Sequence, residues 1–151
     1  MELRPIFTPT ITPERIQLIE SRIREIEDAL EKAIDVDHLI ARFNEFTGKA
    51  YDKYYFQTYW SAQSREEFAT DAALPVAVKV ADITKEELIE IVDRILAGDS
   101  HTLFFLEILR INTTYPRVSN LIFWPTKEGL AASPTSEDIV NAALSYKATS
   151  L

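Results

Sequence analysis

No cysteine occurs among the 151 residues, so disulfides, thiolate metal sites and a cysteine nucleophile are all excluded. Glycine is scarce as well. Gly48, Gly98 and Gly129 stand alone, which leaves no glycine-rich loop to cradle a phosphate. With only His38 and His101, a metal site would have to be built mainly from carboxylates. No apolar run approaches the ~20 residues that span a bilayer. The start Met1-Glu2-Leu3-Arg4-Pro5 has no charged stretch followed by an apolar one, so a secretory signal is not expected. Positive charge is in deficit: 16 Lys and Arg face 24 Asp and Glu, a formal net charge of −8. Such a field disfavours nucleic acid and anionic membrane as partners and favours a basic one. These absences predict a cytoplasmic protein without cofactor or metal, long enough to bury a core without staples.

What is present is helical periodicity. Residues 1–12 are broken by Pro5 and Pro9 and read as an extended lead-in. Thr12-Pro13 is a helix start, with a capping hydroxyl and proline at the first helical position. Ile16, Ile19, Ile23, Ile26, Leu30 and Ala33 then form one apolar stripe. Glu20, Arg24, Glu27, Asp28 and Glu31 cover the opposite, solvated face. Asp35-Val36-Asp37 breaks this helix, and Asp37 is placed to cap the next. That helix buries Leu39, Ile40, Phe43 and Phe46 and stops at Gly48. A third helix, dense in aromatics, is predicted from Tyr51 to Trp60. Ser64 with Glu67 makes a capping box for a short helix that ends before Pro75. Val76-Ala77-Val78-Lys79-Val80 reads as a linker between two halves, 1–75 and 76–151. Thr84 with Glu87 is a second capping box, and Leu88, Ile91, Val92 and Ile95 are its stripe. Leu103, Leu106, Leu109 and Ile111 carry the next helix, stopped by Tyr115-Pro116. Thr135 with Asp138 caps a last one, with Ile139, Val140, Ala143 and Leu144 inward. No segment reads as a strand pair, so the expected class is all-α.

Candidate chemistry is sparse. Asp35, Asp37 and His38 are the only plausible cluster of metal ligands, and capping explains them more simply than a metal does. His101 lies near Asp99, but no serine sits in an elbow motif. The glutamate pairs Glu66-Glu67 and Glu86-Glu87 fall in first helical turns, where they complement the dipole. Tyr51, Tyr54, Tyr55, Phe56, Tyr59 and Trp60 could stack bases or sugars, but only Lys49 and Lys53 are near to hold a backbone. Core packing is the simpler role for them. No catalytic residue is assigned.

From Thr84 onward the order of features becomes specific. Thr84-Lys85-Glu86-Glu87-Leu88 opens a helix, a second helix follows, and Tyr115-Pro116 stops it. Then come Ser119-Asn120-Leu121-Ile122-Phe123-Trp124-Pro125, Ser133-Pro134 and Ile139-Val140. This order resembles the colicin and pyocin nuclease immunity proteins over about residues 76–148. The family pattern is Ser-Asp-Leu-Ile-Tyr-Tyr-Pro on a one-turn third helix. The resemblance implies a C-terminal four-helix bundle packed with an additional N-terminal helical half. It implies a binding protein and not an enzyme: an acidic cytoplasmic inhibitor that neutralises a protein toxin, of nuclease type, by stoichiometric association. Phe123 and Trp124 stand at the family's paired tyrosines, which anchor the toxin interface, and Asn120 at the aspartate beside them. The second helix stands at the family's specificity helix, with Thr102, Leu103, Leu106, Glu107 and Arg110 near the facing positions.

The departures are as definite as the matches. The family's second helix is rich in glutamate, and this one holds a single carboxylate, Glu107. From Val76 on there are 7 basic and 10 acidic residues, against 9 and 14 before it, so the acidity lies more in the N-terminal half. Phe123 and Trp124 lack the two tyrosine hydroxyls. Two alternatives therefore stand beside immunity: an interaction or structural module of the same fold, and an enzyme with a pocket between the halves.

Overall fold

The computed structural model describes residues 1–146, and all regular structure among them is helical. The final residues of the expected bundle, 147–151, lie outside the described residues. The chain divides into two compact units, Pro9–Val76 and Met1–Thr8 with Ala77–Leu151. Among the described residues no helix is long and apolar enough to cross a membrane.

The unit Pro9–Val76 holds α1 (Pro13–Glu31), α2 (Asp37–Thr47), α3 (Lys53–Thr58) and α4 (Arg65–Ala73). The Thr12 hydroxyl accepts the Arg15 N–H at 3.2 Å, as a cap should. Ile19, Ile23 and Ile26 are buried, and α1 packs chiefly on α4, whose Ala69, Ala72 and Ala73 allow close approach. Phe43, Phe56 and Phe68 fill the centre with ring centroids 5.2–5.9 Å apart.

Four local expectations are corrected in this unit. Asp37 does not cap α2: it is the first helical residue, and its N–H donates to the Asp35 carboxylate at 3.0 Å. Phe46 is exposed, with the guanidinium of Arg15 5.1 Å from its ring centroid and that of Arg22 6.0 Å away. The aromatic helix is shorter than predicted, giving way to a 3₁₀ turn at Tyr59–Ser61. Ala33 does not continue the α1 stripe. It lies past the helix end with φ +55°, while the Ile34 N–H reaches back to the Ala29 carbonyl at 2.9 Å.

The other unit holds α5 (Lys85–Leu96), α6 (Thr102–Asn112), α7 (Val118–Phe123) and α8 (Ser136–Ser145). Here α5 packs on α6 and α8, and α7 packs on α6 and α8. Leu88, Ile91, Val92, Phe105, Ile108, Leu109, Leu121 and Ile139 form the core. The capping boxes at Thr84 and Thr135 are both made. Val76–Val80 has no regular structure, but the Asn112 side chain holds part of it, accepting the Val80 N–H and donating to the Val78 carbonyl.

The first eight residues are more than a lead-in. Leu3, ahead of a 3₁₀ turn at Pro5–Phe7, and Phe7, the last residue of that turn, are both buried. Arg4 donates to both oxygens of Glu87, at 2.7 and 2.9 Å, and to Asp82 at 3.1 Å. Glu87 also completes the Thr84 capping box. The Arg4 hydrogen bonds hold its carboxyl below the usual range even though it is almost fully buried.

Candidate partner-binding site

The site is built around α7, which has only six residues. Val118, Leu121 and Ile122 face inward, so the residues that follow Ile122 are left on the outside. Phe123 and Trp124 are accordingly 48% and 55% exposed. Their rings meet edge to face, centroids 6.3 Å apart. The helix closes when the Trp124 N–H donates to the Asn120 carbonyl at 2.8 Å. Pro125 has no N–H to extend it and opens a 3₁₀ turn over Pro125–Glu128. Gly129, at φ +83°, then turns the chain so that the Leu130 N–H returns to the Pro125 carbonyl at 3.0 Å. The Lys127 ammonium lies 5.7 Å from the Trp124 ring centroid, a cation–π distance.

Glu128 ties this turn to the start of α7. Its carboxylate accepts the Tyr115 hydroxyl and the Arg117 Nε at 2.8 Å, and the Asn120 side chain also favours its charged form. These donors, Tyr115 foremost, hold the Glu128 carboxyl below its ordinary value, and the same contact pushes the Tyr115 hydroxyl up. The Arg117 guanidinium also lies 5.4 Å from the Tyr115 ring. The network locks the chain on both sides of the two exposed rings. An amide at Asn120 suits that carboxylate, whereas an aspartate there would set two like charges near each other.

On α6 the spacing of Leu103, Leu106, Glu107 and Arg110 gives one outer face. Leu103 is 53% exposed, Leu106 half-buried, and Glu107 pairs with Arg110 at 2.7 Å. Phe104, Phe105, Ile108 and Leu109 take the inner face. The Thr102 hydroxyl donates to the Asp99 carbonyl at 2.6 Å, bracing the loop before the helix. The two groups of candidate residues thus sit on neighbouring packed helices, and the ion pair leaves the α6 face without net charge. Sequence reasoning did not find Tyr115, Arg117 and Glu128. The signal was thin, a tyrosine read only as part of a stop and a glutamate thirteen residues on.

Among the described residues no three of His, Asp and Glu converge as a metal site. In the other unit, Phe56 and Tyr59 are core residues, and Tyr51 and Tyr55 are partly buried against that core. Tyr54 and Trp60 are exposed.

The family model for colicin immunity protein and pyocin immunity protein matches residues 80–149. The chain is 37% identical over 68 residues to Uncharacterized protein YezA of Bacillus subtilis (strain 168), a span of 43% of this chain and 93% of that protein. No solved structure matches the chain.

Proposed function

We propose, from the premise that the chain belongs through residues 80–149 to the colicin immunity protein and pyocin immunity protein family, that it binds and neutralises a cognate toxin domain in the cytoplasm of the producing cell. The toxin is of nuclease type and is held stoichiometrically, with no chemistry performed on it. One observation carries the reading: Phe123 and Trp124, which the resemblance aligns with the family's paired tyrosines, are exposed together on a braced, proline-stopped turn. Rings held in place before contact lose little freedom on binding, and interface energy concentrates in such residues. Asn120 braces the anchor, while Leu103, Leu106, Glu107 and Arg110 form the discriminating face beside it. Co-expression with the toxin domain encoded beside its gene tests the reading. Protection of the cell and a one-to-one complex are expected. Trp124→Ala, which leaves the core untouched, is expected to weaken that complex by about 2–4 kcal/mol. A toxin that kills despite abundant folded protein would overturn it.

The α6 face, left without net charge by its ion pair, favours a second reading, in which the same anchor docks a protein other than a toxin. A gene neighbourhood with no toxin, together with a stable complex broken by Trp124→Ala, would establish that reading instead.

A further inference from the structure

The unit Pro9–Val76 carries an open groove of about 530 Å³ that the proposed function does not use. Phe56, Tyr59 and Leu30 give it a largely buried apolar lining, and Trp60 an exposed one. Trp60 is 72% exposed, yet it is not loose. It sits in the 3₁₀ turn Tyr59–Ser61, and its indole N–H donates to the Gln57 carbonyl at 2.8 Å. A tryptophan fixed in place with most of its surface in water is a residue ready to bind.

Two carboxylates four residues apart on α1 also line the groove, Glu27 and Glu31. Glu27 is already satisfied, accepting the Tyr59 hydroxyl and the Arg65 Nη2, the latter at 2.8 Å. Glu31 has no salt bridge or side-chain hydrogen bond among the described residues. Arg65 lines the groove too but is taken by Glu27, so Glu31 is the carboxylate left without an ion-pair partner in the groove that the Trp60 ring lines. Tryptophan and carboxylate together suit a cation on an apolar stem. The planar guanidinium of arginine stacks on the ring and pairs with the carboxylate, while its methylenes cover apolar surface. The unit around the groove has 8 Lys and Arg against 13 Asp and Glu, a field that draws a basic segment toward it.

We propose that this groove docks an arginine side chain of a second protein, held between Trp60 and Glu31. The site is independent of the immunity reading: it lies in the unit outside the family match, and either can fail without the other.

The test uses the full-length protein and the capped tripeptide Ac-Ala-Arg-Ala-NH₂, followed by NMR at the Trp60 indole N–H. A Trp124→Phe background leaves one indole signal. A saturable shift with a Kd on the order of 1 mM is expected for so small a probe. The citrulline peptide, equal in shape but uncharged, should bind about tenfold more weakly. Glu31→Gln should weaken the arginine peptide about threefold, and Glu25→Gln, the same charge change at another position of α1, should not. Three results overturn the proposal: no saturable shift by about 20 mM peptide, equal binding of the citrulline peptide, or equal losses from Glu25→Gln and Glu31→Gln. A shift caused by adenosine monophosphate and not by the peptide would likewise overturn it, assigning the ring to base stacking.

Discussion

Phe7 lies on a short turn before the first α-helix, yet none of its surface reaches solvent. Replacing it with alanine therefore perturbs a core residue supplied by a segment that carries no helical pattern. Truncating a fully buried phenylalanine loses its transfer energy and leaves a cavity, together about 3–5 kcal/mol. Domains hold roughly 5–15 kcal/mol in all, so the loss takes a large share. With a urea slope of about 2 kcal/mol per molar, the unfolding midpoint should fall by about 1.5–2.5 M. Circular dichroism in urea reads the midpoint, and hydrogen exchange locates the damage. Amides of α5 and α8 should lose protection, because Phe7 belongs to their unit, while those of α1 and α4 keep theirs. Removing residues 1–8 should reproduce both effects. A midpoint shift under about 0.5 M, with α5 and α8 unchanged, would refute the reasoning: the first eight residues would then be an ornament on a core complete without them.

Ala33→Gly should stabilise the unit Pro9–Val76 by about 0.5–1 kcal/mol, because φ +55° strains an alanine and not a glycine; thermal melts check it. Glu128 has a depressed carboxyl pKa, so its contribution is present above the ordinary carboxylate range and is lost as pH falls through the folded value. Glu128→Gln should therefore flatten the acid limb of stability measured below about pH 5. Tyr59 behaves oppositely: burial first, then its bond to Glu27, pushes its hydroxyl up to about 12. The neutral form is favoured in the fold, so its contribution is full below about pH 10 and lost as pH rises toward 12. Tyr59→Phe should make the alkaline decline shallower, and an unchanged slope would mean the hydroxyl titrates freely.

Helix starts were legible because a cap is a local device. Thr12, Ser64, Thr84 and Thr135 each accept the N–H three residues on, and no distant residue is needed to make that bond. Stops written in backbone chemistry were equally plain, at Gly48 and before Pro75. What escaped was chosen by partners far away in sequence. Periodicity counts Phe46 as apolar and assigns it inward, but two guanidiniums of α1 cover its ring at the surface. Leu3 and Phe7 are four apart, yet Pro5 hides that spacing, and Arg4 meets Glu87 across 83 positions. Glu87 was readable as a capping residue and unreadable as an ion-pair partner. At the candidate site the motif supplied the aromatic pair, but their exposure follows from the three residues that take the inward side of α7. The Glu128 network, which links Tyr115, Arg117 and Asn120, has no period for a sequence to display.

The departures from the family pattern constrain the partner in the proposed complex. Paired tyrosines bring two hydroxyls to an interface, and an acidic second helix brings a field that steers a basic surface from a distance. Here the rings have no hydroxyl, Glu107 is neutralised by Arg110, and the Lys127 ammonium lies over the face of Trp124. A strongly basic patch facing this anchor would be repelled by Lys127 with no acidic helix to compensate. At this anchor the expected complement is therefore an apolar pocket with a neutral or acidic rim, whatever the partner's charge elsewhere. Affinity then comes from burying Phe123 and Trp124, which acts on the dissociation rate, and not from steering, which acts on the association rate. Binding at this face should accordingly change little between low and moderate salt, in contrast to an interface built on an acidic helix.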